Sequence, residues 1–256
     1  MTDWNATHYL RFDDERTRAA GDLAARIHLE HPMRIADLGC GPGNSTQVLR
    51  LRWPDAELVG IDSSPQMIDA AKQQYPDQAW QLDDIATWEP PSQYDLVYSN
   101  AAFHWLPNHA SLLNRLWSFV AHDGALAFQI PSKTHVTIRA LIHEVSSDPQ
   151  WTHRMATARA AMTMESPSFY YDTLSAKALR LDIWETEYFH VMESAGSIVD
   201  WIASTGLRPF LSALNSAAEG DRFMEELNIR AARAYETRSD GKVLFPFRRT
   251  FVIAYR

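Results

Sequence analysis

The first half of the chain alternates short apolar runs with segments whose apolar residues recur at helical spacing. The apolar runs predict buried strands at residues 33–39, 56–62, 94–101 and 124–130. The segments between them predict helices at residues 44–53, 64–75 and 109–121. Strands that alternate with helices are typical of βαβ units around a parallel sheet. Because right-handed crossovers bring the carboxyl ends of such strands to one edge, we expect ligands to bind there.

The second half of the chain has a different pattern. Residues 179–192 alternate between apolar and polar positions like a strand, and residues 249–256 predict another strand. The residues between these two strands are mostly helical in pattern. An insertion at that position would cover the sheet as a cap, so we expect a single domain, residues 1–256, with a helical cap before its last strand.

Composition narrows the class of protein. The 256 residues include 32 acidic and 24 basic side chains, which gives a formal charge of −8 with histidines neutral. The hydrophobic fraction of 46% is that of a globular protein, and it excludes a disordered chain, a collagen-like fibre and a coiled coil. The single cysteine, Cys40, excludes a disulfide framework and a cysteine-based zinc site, and we expect no metal.

Location and partners follow from the same composition. No apolar run approaches the ~18 residues that a membrane span needs, and the N-terminal segment lacks the features of a secretion signal. The acidic balance and the lack of lysine and arginine blocks argue against nucleic acid as a partner. We therefore expect a cytoplasmic enzyme or small-ligand binder, as a monomer or weak homo-oligomer.

The most informative motif joins the first strand to the first following helix. An apolar strand runs into Gly39-Cys40-Gly41-Pro42-Gly43, and a helix opens after it. Glycine permits a positive φ and lets a ligand approach the backbone, and the helix start offers free N–H groups to an anion. The dinucleotide motif G-x-G-x-x-G fails, because its last glycine would fall on Asn44 or Thr46.

Acidic residues follow the next two strands. Asp62 lies about twenty residues beyond the glycine loop, where a carboxylate can accept both hydroxyls of a ribose. The segment Leu82-Asp83-Asp84-Ile85 offers a carboxylate for an adenine amine and a backbone N–H for the adenine ring. This order of features suits an adenosine ligand without a pyrophosphate.

The motifs IADLGCGPGNST and VGIDSSPQMI, with the Asp84-Ile85 pair, resemble the signature of class I S-adenosylmethionine-dependent methyltransferases. The resemblance covers residues 33–131, which would be the cofactor-binding core. It implies a Rossmann-like α/β fold with a seven-stranded, mostly parallel sheet, helices on both faces, and S-adenosylmethionine converted to S-adenosylhomocysteine. By resemblance, Asp37, Gly39 and Gly41 line the methionine part, and Asp62 binds the ribose. The remaining implied cofactor contacts are Ser63, Met67 against the adenine, Asp84 and Ile85 at the adenine edge, and Asn100 and Ala101 near the sulfonium.

Segments that flank this core resemble the branch of the family that esterifies a carboxylate of trans-aconitate, a small tricarboxylic acid. They lie at residues 4–18, 100–106, 169–172, 205–209 and 247–254. On that resemblance, residues 1–30 form an N-terminal cover, and residues 132–178 and 193–242 form substrate cap segments. Implied substrate contacts are Tyr9, His104, Trp105, Tyr170, Tyr171, Arg208 and Arg249.

The chemistry of such an acceptor fits these residue types. A carboxylate is ionised near pH 7 and needs no general base to attack a methyl group, so no residue is expected to act as an acid or base. Arginine can hold the carboxylates that do not react, because its fork binds a carboxylate with two hydrogen bonds. Arg208 and Arg249 are the expected anchors, although Arg248 could face the site instead of Arg249.

Aromatic residues would complete the acceptor pocket. Tyr9, Tyr170 and Tyr171 are candidate phenol donors, and only one of the last two can face inward if their segment is a strand. His104 and Trp105 would orient the acceptor near the methyl group, and the Trp105 ring could contact the sulfonium.

Other functions share parts of this pattern. A carboxyl methyltransferase that acts on a malonyl-carrier-protein thioester would need an exposed basic patch, whereas the basic residues here are dispersed. A sensor that binds the cofactor without catalysis would lack inward-facing arginines in the second half. A nicotinamide dehydrogenase is disfavoured by the glycine spacing.

Overall fold

One sheet of seven strands organises the computed structural model, which describes residues 13–133 and 137–256 of the chain. In chain order the strands are β1 (Arg34–Leu38), β2 (Glu57–Asp62), β3 (Ala79–Leu82), β4 (Tyr94–Asn100), β5 (Val120–Pro131), β6 (Arg180–Met192) and β7 (Val243–Tyr255). Their order across the sheet is β3-β2-β1-β4-β5-β7-β6. Strands β1 to β5 are parallel, and β7 is antiparallel to both β5 and β6.

Helices fill the connections between strands. They are α1 (Asp13–Arg26), α2 (Asn44–Arg52), α3 (Pro65–Gln74), α4 (His109–Ser118), α5 (Thr137–Ser146), α6 (Ala156–Arg159), α7 (Pro167–Leu174), α8 (Ala195–Ala203), α9 (Arg208–Ser212) and α10 (Ala217–Ala234). Several of them begin after a serine or asparagine whose side chain accepts an N–H of the first turn, as Ser64 does for α3 and Ser166 for α7. Such caps satisfy backbone donors that have no partner within the helix.

The two faces of the sheet carry separate layers of helices. Helices α1 and α2 pack on one face, where Leu23 and Leu49 meet Ile35 of β1. Helices α4 and α7 pack on the other face, where Leu116 and Leu174 lie in one core with Ala36. Neighbouring residues of β1 thus face opposite layers, as the period of a strand requires. The predicted arrangement of helices on both faces is confirmed.

The antiparallel pair of strands β6 and β7 extends past the rest of the sheet and supports the cap. Strand β5 pairs with β7 only as far as Pro131 opposite Arg249, whereas β6 and β7 pair on to Met192 opposite Val243. The projecting part of this strand pair forms a third apolar core with helices α5, α8 and α10. Strand β7 therefore begins at Val243, six residues before the predicted start at 249, because residues 243–248 continue the pairing with β6 beyond the end of β5.

Arg249 consequently lies where the sheet meets the cap.

Within the described residues, no helix is long and apolar enough to cross a membrane.

Candidate functional site

The glycine bend after β1 is fastened to the end of β2. The amides of Gly39 and Cys40 both donate to the carbonyl of Ile61, at 2.7 and 3.0 Å. The amide of Gly41 donates to Oδ2 of Asp62 at 2.9 Å. The bend is thereby held as a fixed surface at the carboxyl edge of the sheet, where ligands of open α/β sheets bind.

Each glycine of the bend has a positive φ, but the surroundings of Gly41 differ from those of Gly39 and Gly43. A Cβ on Gly39 would lie 2.2 Å from the Cβ of Ala102, and one on Gly43 would lie 2.7 Å from the Trp80 ring. A Cβ on Gly41 would meet nothing within 4 Å. Packing therefore explains the first and third glycines, whereas Gly41 borders open space that a ligand could fill.

A buried carboxylate lies under the bend. Asp37 on β1 is fully buried, and its Oδ2 accepts hydrogen bonds from Ser45 Oγ at 2.7 Å and Thr46 Oγ1 at 2.6 Å. Its Oδ1 is buried without a hydrogen-bond partner among the described residues. Burial, together with the nearby charge of Asp62, raises the pKa of Asp37 to about 6 in spite of the two hydroxyl donors. A cationic ligand group would find an acceptor here.

The end of β2 presents a second carboxylate. Besides the Gly41 amide, Asp62 accepts from the amide of Ser64 through Oδ1 at 2.9 Å. Ser63 is exposed, and Met67 in the first turn of α3 is 3% exposed. Both Asp62 oxygens thus hold the loop in place at the end of β2.

The end of β3 lies beside that of β2. The amide of Asp83 donates to the carbonyl of Asp62 at 3.0 Å. Asp84 is exposed, whereas Ile85 is buried and its Cδ1 would lie 3.4 Å from a Cβ on Gly39. The structure therefore brings the three acidic strand ends and the glycine bend to one edge of the sheet.

A hydrogen-bonded chain leads from β4 to β7 across the same edge. Gln129 on β5 is fully buried; its Nε2 donates to Asn100 Oδ1 at 2.7 Å, and its Oε1 accepts from Arg249 Nη1 at 3.3 Å. Ala101, which follows β4, has a φ of 56°, and its amide donates to the Gln129 carbonyl at 3.0 Å. The predicted cofactor end of the site and the predicted anchor Arg249 are thus connected through one buried amide.

The open choice between two arginines has a clear structural answer. Arg249 is 4% exposed, and its guanidinium lies 4.8 Å from the Phe247 ring centroid. Arg248 points to the opposite face of β7 and pairs with Glu187 at 3.4 Å, with a third of its side chain exposed. Arg249 is therefore the residue of the two that faces the buried end of the site.

His104 and Trp105 lie in a short 3-10 turn, Phe103–Trp105, which comes shortly after the end of β4. His104 is 6% exposed, its Nδ1 has no hydrogen-bond partner among the described residues, and its ring lies 4.8 Å from that of Trp105. Burial, together with the nearby charges of Arg249, His109 and Arg139, lowers the pKa of His104 to about 3. The imidazole is therefore neutral at physiological pH, which agrees with a role other than acid–base chemistry.

Residues 169–172 lie in a helix, α7, and not in a strand, because Ser166 caps this helix and Pro167 is in its first turn. The Tyr170 side chain is fully buried, and its hydroxyl lies 2.7 Å from Nδ1 of His109, whose Nε2 lies 2.9 Å from the Phe103 carbonyl. Since that carbonyl can only accept, His109 Nε2 carries the proton and Tyr170 donates to Nδ1. Tyr170 thus joins α7 to α4, and Tyr171 is 55% exposed.

Two predicted substrate contacts, Arg208 and Tyr9, stay predictions. Arg208 is the first residue of α9, a cap helix that packs through Phe210. Tyr9 lies outside the described residues.

Sequence reasoning missed two polar residues of this region. Gln129 left a signal, because it is a polar residue in the otherwise apolar strand GALAFQI. Arg139 on α5 left less, since an arginine in a helix is usually exposed; here it is largely buried, with its guanidinium against Ser132 and Met164.

Comparison with known proteins agrees with this arrangement. A family model described as a methyltransferase domain matches residues 35–124. The trans-aconitate 2-methyltransferase of Methylobacterium radiotolerans is 44% identical over 99% of this chain and 98% of its own length. That of Azoarcus sp. (strain BH72) is 43% identical over 100% of both chains. The chain belongs to the trans-aconitate 2-methyltransferase family.

Solved structures place this member of the trans-aconitate 2-methyltransferase family among methyltransferase-like folds. The YcgJ protein from Bacillus subtilis matches with a TM-score of 0.61 at 13% identity, over 93% of this chain and 98% of its own. Coclaurine N-methyltransferase, solved with N-methylheliamine and S-adenosylhomocysteine, matches with a TM-score of 0.56 at 15% identity, over 96% and 70%. These likenesses concern the fold, and they confirm the predicted Rossmann-like class. Membership of the family confirms the predicted methyltransferase activity and argues against a dehydrogenase.

Proposed function

We propose that this protein transfers the methyl group of S-adenosylmethionine to a carboxylate of trans-aconitate, which gives a monomethyl ester and S-adenosylhomocysteine. The observation that carries the proposal is the chain from Asn100 through Gln129 to the buried guanidinium of Arg249. A positive charge at that point supports the proposal, because β4 is the neighbour of β1, the strand that leads into the glycine bend. The relatives of the same length, which are named for this reaction, support the choice of acceptor.

The edge of the sheet suits the cofactor in three respects. Gly41 borders open space at a positive φ, as a backbone cradle requires. Asp62 and Asp84 follow neighbouring strands and can accept from the ribose hydroxyls and the adenine amine, with Ser63, Met67 and Ile85 beside them. The unsatisfied Oδ1 of Asp37 can accept from the ammonium of the methionine part, near Gly39. When bound, S-adenosylmethionine supplies an electrophilic methyl group on a positively charged sulfur.

The protein's own task is then to position and desolvate the acceptor. Arg249 holds a carboxylate that does not react, and Gln129 fixes the direction of the guanidinium. Neutral His104 can donate one N–H without removing a proton from the substrate, which has none to lose at the attacking oxygen. Because Arg249 and His104 are buried, a carboxylate bound beside them would lose part of its hydration, which raises its reactivity toward a cation.

The cap fits a small free acid as the substrate. Residues 193–242 and part of residues 132–178 form a separate apolar core above Arg249, and we assign to them the closing of the pocket. Arg208 and Trp105 belong to this region as further contacts, and so does Tyr9 from the N-terminal cover, residues 1–30. Tyr170 contributes through the position of α7, since its hydroxyl is engaged with His109.

A radiolabelled methyl-transfer screen tests this function. Purified protein is incubated with S-adenosyl-[methyl-³H]methionine and with trans-aconitate, cis-aconitate, citrate, isocitrate or a malonyl-carrier protein. We expect the highest kcat/KM with trans-aconitate, and NMR of the product identifies which carboxylate carries the methyl group. Preferred turnover of the carrier-bound malonyl group would replace the proposed acceptor, and tight cofactor binding without turnover of any acid would indicate a sensor.

A further inference from the structure

A second guanidinium, which is partly buried, lies at the junction of sheet and cap in addition to Arg249. Arg139, near the start of α5, donates through Nη1 to the Ser132 carbonyl at 3.3 Å and contacts Met164 Sδ at 2.8 Å. No carboxylate of the described residues lies within ion-pair distance of it. Burial lowers the pKa of Arg139, which reflects the hydration that the cation has lost. A buried cation without an acidic partner costs free energy unless an anion binds to it.

The neighbours of Arg139 place it between Arg249 and His104. Ser132 follows Pro131, the residue of β5 that is paired with Arg249. On the other side, Met164 follows a threonine whose amide donates to the His104 carbonyl at 2.8 Å. The guanidinium of Arg139 is thus held against the two segments that carry the proposed acceptor site.

The charges around His104 and its unused hydrogen-bonding atom both indicate an anion-binding site. The charges of Arg139 and Arg249 both lower the pKa of His104, so both cations act on the same imidazole. His104 Nδ1 is buried without a partner among the described residues, and the side chain is 6% exposed. Two cations that converge on a neutral, unsatisfied imidazole form a receptor for an anion with several carboxylates.

We propose that Arg139 is a second carboxylate-binding residue, which together with Arg249 selects tricarboxylates over dicarboxylates. This inference rests on the proposed function. Each guanidinium binds one carboxylate that does not react, and the third carboxylate is left free to attack. An acid that lacks the carboxylate bound by Arg139 leaves that cation buried and unpaired, and it is therefore a poorer substrate.

The test combines one substitution with a set of acids. Arg139→Gln is compared with wild type and with Arg222→Gln, which removes an exposed arginine from α10. Each protein is assayed with trans-aconitate, and then with three analogues that each lack one of its carboxylates: itaconate, glutaconate and mesaconate. Analogues that turn over slowly are measured as competitive inhibitors.

We expect Arg139→Gln to raise the KM for trans-aconitate at least about tenfold, since a charge-assisted hydrogen bond is lost, while the KM for S-adenosylmethionine stays within about twofold. For one analogue, wild type and Arg139→Gln should have equal affinities, because that analogue lacks the carboxylate in question. Arg222→Gln should match wild type throughout.

Three results separate the alternatives. An unchanged KM for trans-aconitate in Arg139→Gln, or an equal loss with every analogue, overturns the role of Arg139 while wild-type turnover still supports the proposed function. Absence of turnover by wild type contradicts the proposed function itself. The melting temperature gives an independent check: a ligand-binding role predicts that Arg139→Gln is at least as stable as wild type without ligand, whereas a clear decrease indicates a structural role instead.

Discussion

The buried carboxylate of Asp37 gives a quantitative prediction about stability. Its pKa rises from 3.8 to about 6 in the folded protein, mainly because burial disfavours the charged form. Between these two pH values the folded state binds more protons at this group than the unfolded chain does. The stability that Asp37 contributes is therefore greatest below pH 3.8, decreases as the pH rises toward 6, and stays low above it.

The magnitude follows from the size of the shift. Each pKa unit corresponds to about 1.4 kcal/mol, so ionised Asp37 lowers the free energy of unfolding by about 3 kcal/mol at neutral pH. Asp37→Asn keeps the shape of the side chain and an acceptor for the hydroxyls of Ser45 and Thr46, but it cannot ionise. We expect the variant to equal wild type near pH 4 and to be more stable by up to about 3 kcal/mol near pH 7.5.

Urea unfolding of the ligand-free protein, followed by tryptophan fluorescence, measures this difference between pH 4 and 8. The comparison is between variant and wild type at each pH, so the titration of all other groups cancels. Asp69→Asn, which changes an exposed carboxylate on α3, serves as the matched control. A difference that does not change with pH, or a variant that is less stable at pH 7.5, would refute the reasoning.

The same substitution should weaken the cofactor site. If Asp37 Oδ1 accepts from the ammonium of S-adenosylmethionine, Asp37→Asn should raise the Kd for the cofactor about tenfold or more at pH 7.5. Isothermal titration calorimetry measures this value. A gain in stability joined to a loss of affinity would identify a charge that is retained for binding at the expense of the fold.

Three further predictions concern the two halves of the site. Asp62→Ala should weaken binding of S-adenosylmethionine by tenfold or more in a calorimetric titration, because the ribose contact and the anchor of the glycine bend are both lost; an unchanged Kd would contradict the ribose role. Gly39→Ala should lower the melting temperature, because the added Cβ would collide with Ala102. Gly41→Ala should lose only about 1–2 kcal/mol of stability through backbone strain, but its affinity for S-adenosylmethionine should decrease. Arg249→Gln should raise the KM for trans-aconitate at least about tenfold and Arg248→Gln should not, and similar values for both would remove Arg249 from the acceptor site.

The cofactor half of the fold could be predicted from local patterns. Strands β1, β2 and β4 are short apolar runs, and the glycine bend follows directly after β1, so residues 34–62 contain the strand, turn and helix signals in order. Strand β3 was not predicted, because this edge strand is mostly exposed and has no apolar run. The acids Asp62 and Asp84 could be placed at one edge because the topology of parallel strands puts them there. The hydrophobic pattern and the order of strands are enough to predict a site that is built from the ends of consecutive strands.

The acceptor half depends on tertiary contacts that local patterns do not contain. Tyr170 and Tyr171 form an aromatic pair with strand-like composition, yet Ser166 and Pro167 begin a helix there, and the cap signal was the better guide. The sequence could not decide whether Arg248 or Arg249 faces the site, because this depends on which face of β7 each residue occupies between strands β5 and β6. Arg139 became a candidate only when its burial was known, because its contact with Ser132, just after β5, depends on how α5 is placed in the folded cap.

The distribution of charge along the edge explains how one pocket can bring together a cation and a polyanion. Acidic side chains line the glycine bend, where the charge of Asp62 contributes to the raised pKa of Asp37, and the arginines lie across Gln129 on the cap side. Two guanidinium groups, Arg139 and Arg249, can neutralise two of three carboxylates, so the third keeps its negative charge and its nucleophilicity. Methyl transfer from a sulfonium to a carboxylate destroys one positive and one negative charge, and a site that has already removed water from both favours that loss of charge. Added cations near the attacking carboxylate would therefore slow the reaction. His104→Lys should accordingly reduce kcat with trans-aconitate more than it changes KM in a steady-state assay, and a change confined to KM would contradict this account.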